Sequence, residues 1–280
     1  MTDMEWLQQP RLRDPVAVLA FEGWNDAADA STGVVEHLIA SYADGPFAQL
    51  DLEDYMNYQM SRPIISIDGN MRELHWPATG FFAIPLPDHH HDLIAVLSEE
   101  PHMRWASYCR QVIGALRDLG VAKAVTFGAF IGQVPHTLPV QMFSVSNDDD
   151  FIDRHSLNKS SYEGPTGITG VMHVALASEG FEASGLWAAV PHYLAANPSP
   201  KATQALLSKL GEVINYSLET GDLDDEVTEY EKRVSNAVEE SSDFLEYVRQ
   251  LEKSSGSPEI SPADSELLVE EIEKFLRDPS

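Results

Sequence analysis

The chain has 280 residues, 43% of them apolar, and a formal net charge of −27. That length and apolar fraction suit one large domain with an appendage, or two small ones, and exclude global disorder. The charge argues against nucleic acid and anionic membrane as partners, since both demand basic footprints.

No apolar run reaches the ~18 residues that a membrane span needs. The opening "MTDMEWLQQPRLRDP" carries acids and lacks the apolar segment of a signal peptide. Cys109 is the only cysteine, so an intrachain disulfide and a cysteine-based zinc site are excluded, and a reducing cytoplasm is the expected setting. The charge is uneven: residues 221–280 hold 18 acids and 6 bases, a net of −12. Such a run reads as a solvated helical surface, or as a face for a basic protein partner.

In chain order, "PVAVLAF" (15–21) fits a buried strand, followed by a loop and by "TGVVEHLIASYA" with helical spacing. "FAQLDL" (47–52) is a second strand. "RPIISIDGNMRELHWP" predicts a hairpin around Asp68-Gly69-Asn70, with apolar residues alternating on both arms. The prolines of "FFAIPLP" predict an edge strand or none. "DLIAVLSEE" (92–100) is a buried strand, and "RWASYCRQVIGALRDLG" (104–120) an amphipathic helix closed by Gly120. "VAKAVTFGAF" (121–130) and "PVQMFSVS" (139–146) are further strands, and "SNDDDFIDRHSLNKSS" a polar loop. "YEGPTGITG" (162–170) opens a helix running to about Gly180, "ASGLWAAVP" (183–191) is a strand, and Ser199 with Pro200 starts another helix.

This alternation predicts an α/β class: a three-layer α/β/α sandwich on a mostly parallel, mixed sheet over residues 1–220. Residues 221–280 read as an acidic C-terminal helical extension. Val227, Tyr230, Val234, Ala237, Ser241, Phe244, Val248 and Leu251 recur at heptad spacing. That seam is expected to meet the core domain, another copy or a client. A linker at 254–262 and a second helix then complete a helical hairpin.

Ligands of open α/β sheets sit beyond the carboxyl ends of the strands. The residues there are Trp24, Asn25 and Asp26; His136 and Thr137; Glu163, Gly164, Thr166 and Gly167; and His192. If the strands are parallel, these loops share one edge and form a candidate cleft with acid–base groups. Each has a plainer role: Asn25 and Asp26 suit helix caps, His136 and His192 suit loop contacts, and Glu163 suits a helix N-terminus. "GPTGITG" lacks the lysine of a phosphate loop and the dinucleotide spacing. Histidines 89–91 cannot all face one ion from a strand, because neighbours alternate sides. No metal or cofactor is expected.

"FEGWNDAADAS", "FGAFIGQVPHTLPV", "YEGPTGITGVMH" and "LWAAVPHYLAANPSPKATQALL" together resemble the proteasome assembly chaperone 2 family in its actinobacterial form, over roughly residues 10–215. The resemblance implies a phosphorylase/hydrolase-like α/β/α fold. It also implies kinship with proteins that help proteasome α-subunits assemble, and it supplies no catalytic residues. Some members end in a hydrophobic–tyrosine–any tripeptide; here Pro279 holds the tyrosine position. Two functions follow: an oligomeric protein-binding or assembly factor, with a trimer as one form, or a small-molecule hydrolase or transferase at the strand-end cleft. The lack of an evident nucleophile, metal set or phosphate loop favours binding.

Overall fold

The computed structural model describes residues 4–146 and 148–254. The elements in order are β1 (Met4–Trp6), β2 (Val16–Phe21), α1 (Ala30–Tyr42), β3 (Pro46–Asp51), β4 (Ile64–Asp68) and β5 (Met71–His75). Then come β6 (Ala78–Ile84), β7 (Leu93–Ser98), α2 (Trp105–Asp118), β8 (Lys123–Gly132), β9 (Met142–Ser144) and α3 (Asp149–Arg154). The last are β10 (Asn158–Lys159), α4 (Ile168–Ser178), β11 (Glu182–Pro191), α5 (Pro200–Ile214), α6 (Leu223–Glu239) and α7 (Ser242–Ser254). This is an α/β protein built on a large mixed sheet with helices beside it. The second helix expected after the 254–262 linker lies outside the described residues, as does Pro279.

Contacts divide the chain into two compact units, each discontinuous in sequence. Among the described residues the first comprises 4–25, 35–127 and 163–184; the second comprises 26–34, 128–146, 148–162 and 185–254. Strand β8 passes from one into the other.

In the first unit the strand order is β1-β3-β6-β7-β2-β8. β2 pairs in parallel with β7 and β8, while β1, β3 and β6 continue the sheet antiparallel. All six residues of β2 are buried, as a strand covered on both faces requires. One core joins Leu19 and Phe21 of β2 and Val96 of β7 to Val112 and Leu116 of α2 and Met172 and Leu176 of α4. Tyr108 carries a polar atom into it: its buried hydroxyl lies 2.8 Å from Thr79 Oγ1, while its ring packs edge-on against Tyr55.

The expectation for "FFAIPLP" is corrected here. β6 is an interior strand between β3 and β7, because Pro85 and Pro87 fall beyond its last residue and remove no ladder amide. The predicted hairpin is present as β4–β5. Asp68 opposes Met71 across a turn at Gly69 and Asn70, and Gly69 takes the left-handed φ of 59°.

In the second unit the order is β8-β11-β9-β10. Gly128 lets the Trp187 ring lie against the backbone: a Cβ there would come within 2.5 Å of the ring. The polar loop at 146–161 contains α3, capped by Asp148 accepting from the Phe151 amide at 3.2 Å. Ser199 caps α5 as expected, accepting from the Ala202 amide at 3.4 Å.

The heptad run is two helices rather than one rod. Ser241 ends the pattern by accepting from the Phe244 amide at 3.4 Å, the geometry of an N-cap for α7. Tyr230, Val234, Phe244, Val248 and Leu251 then fold onto Tyr193 and Leu194 as a second, smaller core. Tyr193 and Phe244 meet edge-on with ring centroids 5.0 Å apart. Of the partners open to the seam, its apolar residues meet their own chain, and of the eight only Val227 and Ser241 stay partly exposed. The residues after β11 supply an apolar platform that heptad spacing alone does not disclose.

Candidate functional site

The sequence-predicted residues fall into two groups, one in each unit. The first holds Trp24, Asn25, Glu163, Gly164, Thr166 and Gly167. Gly167 is the residue before α4, and its backbone is extended. A Cβ on it would lie 2.4 Å from Asn25 Oδ1 and 2.7 Å from Glu100 Oε1. Only glycine allows both oxygens to approach the helix start so closely. Glu100 Oε1 accepts from the amide of Ile168, the first residue of α4, at 2.7 Å. Glu100 Oε2 accepts from the Trp24 amide at 3.4 Å. Gly23, at φ 101°, makes room beside the Glu100 side chain.

The glycine-rich turn thus receives an anion, and the anion is the chain's own Glu100. A carboxylate at a helix N-terminus is favoured by the unpaired amides and the helix dipole. Glu100 ties the loop after β2 to the start of α4. Sequence reading missed it, although it follows β7 and the strand-end rule applied to that strand selects it. Trp24, Glu163, Gly164 and Thr166 are exposed, while Asn25 is half-buried. Asn25 Oδ1 is buried without a hydrogen-bond partner among the described residues.

The second group holds Asp26, His136, Thr137 and His192. Asp26 is buried and fully engaged. Its Oδ1 accepts from the Ser31 amide at 2.7 Å, the Ser31 hydroxyl at 2.6 Å and the Thr32 amide at 3.1 Å. Its Oδ2 accepts from the Thr32 hydroxyl. Between them run Ala28 and Asp29, both left-handed with φ of 55° and 51°. Such non-glycine residues cost on the order of 1 kcal/mol each. The bonds to Asp26 hold that strained entry into α1.

His136 is buried, and both its amide and its Nδ1 lie 2.9 Å from the Tyr193 hydroxyl. Burial, reinforced by the neighbouring Lys201 ammonium, lowers its pKa to about 4, so the ring is neutral near pH 7. Lys201 donates to the His136 carbonyl at 2.6 Å and pairs with Glu231 at 2.7 Å. The Thr137 hydroxyl donates to Glu252 on α7 at 2.6 Å. His192 Nε2 and the Tyr247 hydroxyl are 3.0 Å apart, and burial lowers the His192 pKa. Both imidazoles flank Tyr193, with ring centroids 5.9 and 5.2 Å from it. A hollow beside His136, Gln141, Lys201 and Tyr230 has a volume of about 20 Å³, room for roughly one water.

These polar groups mostly bond to one another. Asp26 caps a helix, Glu100 caps another, and His136 is locked between Tyr193 and its own loop. Glu100, Lys201, Tyr247 and Glu252 complete the networks and were not singled out from the sequence, whereas Tyr193 stands among the residues that follow β11.

No functionally curated protein matches the chain. The profile of the PAC2 family matches residues 20–238. Among solved structures, a PAC2 family protein from Streptomyces avermitilis is 40% identical, with a TM-score of 0.78 over 84% of this chain and 100% of its own. A proteasome-assembly chaperone homologue from Mycobacterium tuberculosis is 36% identical, with a TM-score of 0.76 over 83% of this chain and 99% of its own. PbaB, an archaeal proteasome activator from Pyrococcus furiosus, shares the fold at 19% identity and a TM-score of 0.64, over 84% of this chain and 99% of its own. The profile match and the two bacterial relatives establish that the chain belongs to the PAC2 family.

Proposed function

We propose that this protein is an oligomeric protein-binding factor of the assembly-chaperone kind rather than an enzyme. The observation that carries this reading is the engagement of Asp26, Glu100 and His136 in holding helix starts and loops of their own chain. A general acid or base needs a proton-exchanging atom within reach of substrate. The Asp26 oxygens already accept four donors. The imidazole of His136 faces Tyr193. Kinship with a proteasome-assembly chaperone homologue makes a proteasome subunit the first client to test.

Complementation of a strain lacking the gene tests the reading. Glu163→Gln and Asp26→Asn keep shape while removing charge. Both variants, at matched protein level, should restore the wild-type phenotype. An enzyme using either carboxylate as acid or base loses ~10²–10⁴ in rate and fails to complement.

A further inference from the structure

The smaller core of the second unit is built by the last two described helices. Tyr230, Val234 and Val238 of α6 and Phe244, Val248 and Leu251 of α7 pack on Tyr193 and Leu194. None of these residues belongs to the core of the first unit. A pair of helices with its own small core is the kind of unit that opens at less cost than global unfolding. Four polar contacts tie it down: Lys201–Glu231, Gln204–Asp224, Thr137–Glu252 and His192–Tyr247. The platform residue Tyr193 stands between two imidazoles.

The Tyr193 hydroxyl has one proton and serves two atoms of His136. It accepts from the His136 amide and therefore donates to Nδ1, both at 2.9 Å. That arrangement needs a neutral ring with its proton on Nε2. A second ring proton breaks it. The amide and a protonated Nδ1 then present two hydrogens to one oxygen, and the hydroxyl proton loses its acceptor. The new cation also faces Lys201 of α5, which donates to the His136 carbonyl at 2.6 Å. Glu231 of α6 and Glu252 of α7 act on the ring with the opposite sign, but Glu231 is already paired with Lys201 and Glu252 is bonded to Thr137. Tyr230 of α6 lines the hollow beside the ring, so lifting the helix admits water there. His192 meets the Tyr247 hydroxyl of α7, the Tyr193 ring and the Gly132 backbone.

We propose that α6 and α7 form an acid-released strap: protonation of His136 and His192 frees the two helices as a unit and bares the Tyr193–Leu194 platform while the sheet stays folded. The sign follows from burial. Burial, with Lys201 adding to it, lowers the His136 pKa from 6.5 to about 4, and burial lowers that of His192. The closed form thus binds protons less readily than the open one, so closure is fully favoured above pH 6.5 and weakens as pH falls towards 4. From His136 alone, the open fraction rises about 20-fold between pH 7 and pH 5. The strap does not depend on which client the protein binds.

Hydrogen exchange of the full chain, read by mass spectrometry at pH 7 and pH 5 and corrected for intrinsic amide rates, tests it. Protection across 223–254 should fall about 20-fold or more, while β2 and β11 stay within about threefold. Equal protection of 223–254 at the two pH values overturns the inference. So does an equal loss in β2 and β11, which marks global unfolding. In His136→Asn the side-chain oxygen can still accept from Tyr193 but does not titrate, so the fall should be smaller by about fivefold or more. A fall unchanged from wild type overturns the role of His136. Where that variant does not fold, the His136 ring protons of the wild type, followed by NMR, decide: a midpoint near 4 is expected, and one near 6.5 overturns the inference.

Discussion

Replacing Asp26 separates structure from chemistry most sharply. Asp26→Ala strands two backbone amides, of Ser31 and Thr32, at the start of α1, together with two hydroxyls. Each buried donor left unpaired costs about 1–3 kcal/mol, and the hydroxyls recover part of their loss by rotating. The left-handed Ala28 and Asp29 also lose the bonds that hold them. The total is about 3 kcal/mol, or roughly 6–12 °C in Tm for a unit of this size. Asp26→Asn keeps an oxygen for three of the four donors, and the Thr32 hydroxyl can turn to accept from the new amide. It should lose about 1 kcal/mol, the value of the charge at a helix start. Urea unfolding followed by circular dichroism measures both. If Asp26→Ala lies within 0.5 kcal/mol of wild type, the carboxylate is not holding this turn, and its availability for other chemistry is restored.

Glu100→Ala should cost about 1–2 kcal/mol, as the loss of a cap does, with Glu100→Gln recovering more than half through its remaining oxygen; thermal unfolding reads both. Phe244→Ala empties a fully buried ring site against Tyr193 and should cost about 3–5 kcal/mol, seen as early proteolysis within 223–254. Because the folded-state pKa of His136 is depressed to about 4 from 6.5, its contribution to stability is complete above pH 6.5 and is lost as pH falls from 6.5 towards 4. The loss reaches up to roughly 3 kcal/mol. His155 and His192 shift in the same direction, so the signature is a shallower pH 4–6.5 slope in His136→Asn than in wild type, measured by urea midpoints at each pH.

Much of the fold was legible because burial leaves a plain mark. β2 and β7 are unbroken apolar runs since both faces are covered, and Gly120 closes α2 with a left-handed φ of 77°. The hairpin was legible from its two-residue turn. Where sequence misled, a local rule met a tertiary circumstance. Prolines beside β6 suggested an edge, yet both sit past its end. Heptad spacing through Ser241 suggested one helix whose face could meet the core domain, another copy or a client. Ser241 instead caps α7, and the two helices close over Tyr193 and Leu194. Tyr230 and Phe244 therefore belong to the chain's own core.

The candidate site was legible as a set of strand-end loops and illegible as a set of partners. The glycines of "YEGPTGITG" announced a close approach at a helix start. What approaches is Glu100, 67 positions before Gly167, and only its place just beyond β7 marks it in the sequence. Asp26 was visible as either a cap or an acid, and four donors at its oxygens decide how it is used in this structure.

Native mass spectrometry of the full chain mixed with proteasome α-subunits tests the central claim most directly. The account predicts a complex of fixed stoichiometry that persists with Glu163→Gln and Asp26→Asn. A chain that forms no such complex, while turning over a small molecule in a reaction abolished by those two substitutions, would contradict it.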